Sequence, residues 1–164
     1  MSPPDRETLL DALAGARAHV LSQVEALDES WQHGVVVPSG WSPLGLVRHL
    51  TLSDERYWFE VVVGGGPLDF WPAGPRGDWV VPPSTSAETI VADYREAIGR
   101  SDAILAQVAL DDAPRRPEPA WAGTGRFATV RDVLVHVIVE TSTHAGQLDV
   151  ARELVDGGQH LVLE

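Results

Sequence analysis

Residues 130–156 read VRDVLVHVIVETSTHAGQLDVARELVD. At about 100° per residue, Val130, Val133, Val137, Leu148, Ala151 and Val155 gather on one arc of a helical wheel, with Arg131 and Asp149 opposite. The segment therefore reads as one amphipathic helix. Thr129, with Asp132 three residues on, predicts its N-cap, and Gly157-Gly158 predicts its end. Glu140 and His144, one turn apart, fall with these valines on what should be the buried stripe. A carboxylate and an imidazole placed there are costly unless something pairs with them. Two arrangements meet that need. The pair can share a proton or form a buried ion pair, or both tips can meet one metal ion, which i, i+4 spacing on a helix allows. His136 lies at the edge of the stripe and reads as a half-exposed or supporting histidine. Gln147 lies one turn beyond His144.

Three more helices are expected. The first runs from about Pro4 to Leu27, with Leu9, Leu13, Ala16, Val20, Val24 and Leu27 at helical spacing. The second begins at Ser42-Pro43, a good N-cap followed by proline at the first helical position. It runs to about Val62 and stops at Gly64-Gly65-Gly66. The third starts near Thr85 or Ser86, where Thr85 and Glu88 fit a capping box, and continues to about Ala109. The tail, His160 to Glu164, is a short strand or a docked coil. Helices of this length suit a bundle. The fold class is thus all-α, a four-helix bundle in one domain spanning residues 1–164. Long loops follow helices two and three, and loops of that length often wall a pocket.

Composition excludes several chemistries. There is no Cys, so no disulfide framework, thiolate metal site or cysteine nucleophile is available. All twelve basic residues are Arg, which removes lysine Schiff-base and lysine general-base chemistry. The absence of Lys, beside many Ala, Val, Gly and Pro, points to the codon bias of a GC-rich genome. The net charge of −12 argues against nucleic acid and against an anionic membrane surface as partners. Residues 1–10 lack the apolar run of a secretory signal. No apolar stretch approaches the roughly 20 residues of a membrane span. A cytoplasmic location is expected. The six Trp divide into three read as packing (Trp31, Trp41, Trp58) and three in loops (Trp71, Trp79, Trp121), which could line a pocket or fasten the loops down.

A further ligand candidate lies on helix two. His49 flanks the stripe formed by Leu46, Leu50, Tyr57 and Val61. Two His and one Glu would leave room for water or substrate, the pattern of an open catalytic site. Zinc suits such a set best, and nickel, iron and manganese also accept imidazole and carboxylate.

Three features in order carry a family resemblance. They are the Leu-x-x-His-Leu setting of His49 followed by the acidic-aromatic patch Asp54 to Phe59, the Trp/Gly/Pro-rich loop, and the run from His136 through Glu140 and His144 to Gly146-Gln147. Together they resemble the DinB-like superfamily of four-helix-bundle metalloproteins over nearly the whole chain. Glu140 stands where many of these proteins have a second His. Glu at that place is characteristic of an uncharacterised DinB-like subfamily and of the metal-binding domain of mycothiol-dependent maleylpyruvate isomerases. Carried over position by position, the resemblance implies the metal ligands His49, Glu140 and His144, a divalent ion and often a homodimer. It also implies thiol S-transferase or isomerase activity with bacillithiol, mycothiol or glutathione. The leading expectation is a metal-dependent thiol S-transferase joining a low-molecular-weight thiol such as mycothiol to a small electrophile. The alternatives are a non-catalytic, stress-related metal-binding protein and a metal-dependent hydrolase.

Overall fold

The structure, a computed structural model, describes residues 3–160 and is all-helical over that range. Its elements are α1 (Pro3–Glu25), α2 (Glu29–His33), α3 (Pro43–Leu50), a π-helix (Thr51–Val63), α4 (Ala87–Leu105) and α5 (Val130–Asp156). Two single 3₁₀ turns, Gly77–Trp79 and Pro119–Trp121, lie in the long loops. α1 packs along α5, the π-helix packs along α4 and α5, and α3 joins them. None of the helices is long and apolar enough to cross a membrane. Residues 161–164 of the expected tail lie outside the described range; His160 itself stacks on His19 of α1 at 3.8 Å.

Helix α5 has the expected bounds, and both halves of its Thr129/Asp132 capping box form. The helix near residue 86 is capped differently from the expectation. The Ser86 hydroxyl accepts the Thr89 N–H, and Ser86 rather than Thr85 is the cap. That helix ends at Leu105 instead of Ala109. The short α2 was not anticipated, because five residues are too few to show a period.

The larger difference is in the second long helix. It is α-helical only to Leu50 and then widens into thirteen residues of π-helix. At its end the Gly64 N–H donates five residues back, to the Phe59 carbonyl at 2.9 Å. Most π-helical geometry occurs as a single turn, frequently at functional sites. Glycine ends this one for steric reasons. A Cβ at Gly64 would meet the Glu60 carbonyl oxygen at 2.8 Å, and Gly65 has φ +76°.

The bundle carries two hydrophobic clusters. One contains Leu13, Trp58, Phe59, Leu105, Val133 and Val137. The other contains Val20, Leu50, Tyr94, Ala145 and Leu148. Each of the four long segments crosses from one cluster to the other at a buried polar residue: Arg17 on α1, Asp54 and Glu55 on the π-helix, Ser101 on α4 and Thr141 on α5. These bond one another. Arg17 holds Glu55 through two bonds, Nε to Oε1 at 2.7 Å and Nη2 to Oε2 at 2.6 Å, and reaches Asp102 at 2.7 Å. The Ser101 hydroxyl donates to the Glu55 carbonyl at 3.2 Å. The Thr141 hydroxyl donates to Asp54 at 3.1 Å. Burial pushes the Glu55 carboxyl up against the opposing pull of Arg17. Burial and the neighbouring Glu55 charge push Asp54 well above the usual carboxylate range.

Breaking a buried ion pair by removing one partner costs about 3–5 kcal/mol, because a charge is left without compensation. Arg17→Ala should therefore lower the unfolding free energy by about that amount in a urea titration followed by circular dichroism. The double variant Arg17→Met/Glu55→Leu should recover most of the loss. An equal loss in both variants would show that the pair itself, and not the stranded charge, sets the cost.

Candidate metal centre

The site begins at the N-terminus of α3. The Ser42 hydroxyl accepts the Gly45 N–H at 3.1 Å, and Pro43 opens the helix. Gly45 then does something the sequence did not announce. A Cβ there would meet the Trp79 carbonyl oxygen at 2.5 Å, so only glycine lets the Gly77–Trp79 turn lie against the helix backbone. Arg76, in the left-handed region with φ +60°, starts that turn.

One turn of helix after Gly45, the same loop reaches His49. Asp78 Oδ2 lies 2.6 Å from His49 Nδ1, and the Trp79 indole stacks on the imidazole at 4.2 Å and 16°. The α5 contribution is His144, whose ring stands edge-on to both, 5.1 Å from His49 and 5.5 Å from Trp79. Its Nδ1 lies 2.9 Å from Gln147 Oε1. Glu140 Oε2 lies 3.8 Å from His144 Nε2.

These contacts set the tautomers. A carboxylate and an amide oxygen only accept, so each imidazole donates from Nδ1. In the neutral form of either ring the proton then stands on Nδ1, and Nε2 carries the lone pair. Fixing one ring nitrogen by a carboxylate or carbonyl is how a histidine is oriented to bind a metal with the other. Burial depresses the His49 pKa, although the Asp78 hydrogen bond opposes it, and this favours the neutral, ligating form. Two imidazoles and a carboxylate are a donor set compatible with a divalent ion.

His49, Glu140 and His144 lie near the middle of α5, but they are not equally placed. His144 is buried, whereas the Glu140 side chain is 42% exposed and sits at the rim of the stripe. The ligand atoms of the three do not all approach within 4.8 Å of one another. Among the described residues the His/carboxylate group that does so is His19, Asp149 and His160. His136 stays apart, packed edge-on against Trp58 at 4.7 Å and Phe127 at 5.0 Å. Burial lowers its pKa as well.

Of the tryptophans, Trp58 is buried and Trp41 is partly buried, while Trp31 is 41% exposed, against the packing role expected of it. Trp79 is the loop indole that reaches the site. Trp71 packs on Tyr57 and Trp121 on Phe127. The sequence reading missed Asp78, which lies in a loop with no periodicity to expose it. It also missed the burial of Asp54, although an α-helical wheel sets it beside Leu50 and Val61, and of Glu55, which the same wheel sets on the opposite side.

Long-range proton–nitrogen NMR of the metal-free protein should show His49 and His144 as Nδ1–H tautomers. In Asp78→Ala, His49 should move toward the Nε2–H form while His144 keeps its spectrum. An unchanged His49 pattern would mean that Asp78 does not fix the ring.

Searches of curated proteins and of solved structures returned no significant match. The sequence pattern of the family described as Mycothiol-S-transferase matches residues 8–157, nearly the entire length. The chain belongs to the mycothiol-S-transferase family, one of the DinB-like families.

Proposed function

We propose that the chain is a metal-dependent thiol S-transferase whose divalent ion is held by His49, Glu140 and His144. The observation that carries this reading is the pair of histidines with Nδ1 committed to Asp78 and Gln147, leaving Nε2 as the lone pair on each. Family membership supports mycothiol as the thiol. Zinc suits the donor set best, with nickel, iron and manganese as alternatives.

A divalent ion bound there would deprotonate a coordinating thiol and so supply the thiolate nucleophile. The chain has no Cys, so the attacking sulfur belongs to the cosubstrate. In the transfer, that sulfur forms a bond to the electrophilic carbon. The leaving group departs with its bonding pair, and the thiol proton passes to solvent. The protein's own residues position and shield. Asp78 and Gln147 hold the two rings, and the Trp79 indole covers one face of His49. Glu140, at the solvent-facing rim, adds one negative charge where the two imidazoles add none. On α5, one turn before Glu140, His136 borders an open cleft of about 410 Å³ lined also by Phe127, Arg131 and Val139. None of the three proposed ligands lines that cleft, so the electrophile's place is not assigned to it.

Protein purified without a histidine tag should carry a divalent ion, and His144→Ala should lose one equivalent by elemental analysis. The metallated wild type should conjugate mycothiol to monochlorobimane faster than metal-free protein, and His144→Ala should fall to the metal-free rate. Metal content without any rate increase, across mycothiol, bacillithiol and glutathione, would favour a binding protein over a transferase. Equal and negligible metal in wild type and variant would remove the site altogether.

A further inference from the structure

At the far end of the α1–α5 contact, a second set of imidazoles and a carboxylate converges. His19 Nε2 lies 2.7 Å from Asp149 Oδ1, and the His160 ring stacks on His19 at 3.8 Å. One ligand atom from each of the three lies within 4.8 Å of the other two. The three come from separate places: His19 from α1, Asp149 from α5, and His160 from the segment beyond Gly157. All are half-buried, so the group is neither a solvated surface scatter nor a sealed core.

The surroundings hold His160 in place. Gln23, 4% exposed, lies one turn beyond His19 and brings its amide nitrogen 3.3 Å from His160 Nδ1. The Gln23 oxygen in turn accepts from Arg152 Nη1 at 3.1 Å. Arg152 also reaches Asp156 at 3.3 Å. Residues around the cluster are thus tied to α1 and α5 by their own bonds.

The geometry points to a second metal site at His19, Asp149 and His160, of a different kind from the candidate centre. Two imidazoles and one carboxylate oxygen take zinc, nickel or copper(II) in preference to magnesium or calcium, which favour all-oxygen sets. Its ligands join two helices and the C-terminal segment, so an ion there fastens residues 157–160 to the α1–α5 pair. The role is structural. A ligand set assembled only in the folded chain stabilises that fold when it binds.

The test uses the full chain without a histidine tag and zinc as the probe, in equilibrium dialysis followed by elemental analysis. The double variant His49→Ala/His144→Ala removes the candidate centre and should still retain one zinc equivalent. Adding His19→Ala and Asp149→Asn to it should take zinc to the dialysis background. Circular dichroism checks that each variant is folded. As a second readout, zinc should slow amide exchange of residues 157–160 in the His49→Ala/His144→Ala protein.

The two sites fail separately. If only the candidate centre binds, wild type and His19→Ala/Asp149→Asn hold equal zinc, and this proposal is overturned. If only the second site binds, wild type and His49→Ala/His144→Ala hold equal zinc, and the proposal stands without the other. Zinc that survives loss of His19 and Asp149, or that leaves exchange at 157–160 unchanged, also overturns it.

Discussion

The interaction on which this bundle depends is the buried bond between Arg17 and Glu55. It lies in a polar layer that every long helical segment crosses on its way between the two hydrophobic clusters. Such a layer carries little net stability compared with apolar packing of the same volume. What it does is fix register. Leu13 on one side of Arg17 and Val20 on the other can each enter their own cluster only if Arg17 lies level with Glu55. The same holds for Tyr94 and Leu105 about Ser101, and for Val137 and Leu148 about Thr141. A helix displaced by one turn along its axis would strand a guanidinium or a carboxylate among valines.

The π-helix makes this layer possible. Asp54 and Glu55 are adjacent, yet both are buried, Asp54 bonded from α5 and Glu55 from α1. A wider turn presents more of the chain to the interior per rise, so the stretch from Thr51 to Val63 hides nine residues. The cost is two neighbouring carboxyls in a medium of low dielectric. Asp54 is the one without a cation, and burial beside Glu55 drives it toward the protonated form. Thr141, which donates to Asp54, immediately follows Glu140, so the layer that sets register also sets the height of the Glu140–His144 turn on α5.

Most of the α5 contribution was legible because 27 residues keep a single period and both ends carry strong signals. Glu140 was expected on the buried stripe and is instead 42% exposed. Its angle lies at one limit of the apolar arc, and a long side chain at a limit turns outward, whereas His144 lies among the valines and stays buried. The second helix was legible at its start, where Ser42 and Pro43 act locally, and not beyond Leu50, where the hydrogen-bond pattern changes and the assumed period no longer applies. Asp78 could not be read at all. Its place follows from a tertiary contact, the Trp79 carbonyl against the bare Cα of Gly45, and no local pattern in the loop encodes that approach. The His19, Asp149 and His160 group escaped for a related reason. His19 is separated from Asp149 and His160 by most of the chain and meets them only because α1 runs along α5.

The chemistry of the site follows from which atoms the fold commits. Each histidine has two nitrogens, and the fold uses one of each as a donor, to Asp78 and to Gln147. Had either ring been held through Nε2, the lone pair left over would have been the one closer to the backbone and less able to meet a ligand from another helix. With Nδ1 committed, the ring is also pinned against rotation, by Trp79 for His49 and by the turn to Gln147 for His144. Burial, which lowers the His49 pKa, and the nearby carboxylates suit a cation at this site. In a chain with neither cysteine nor lysine, imidazole nitrogen and carboxylate oxygen are the donors that remain for that ion. In the proposed transfer the nucleophile would arrive with the substrate, because the chain has no thiol of its own.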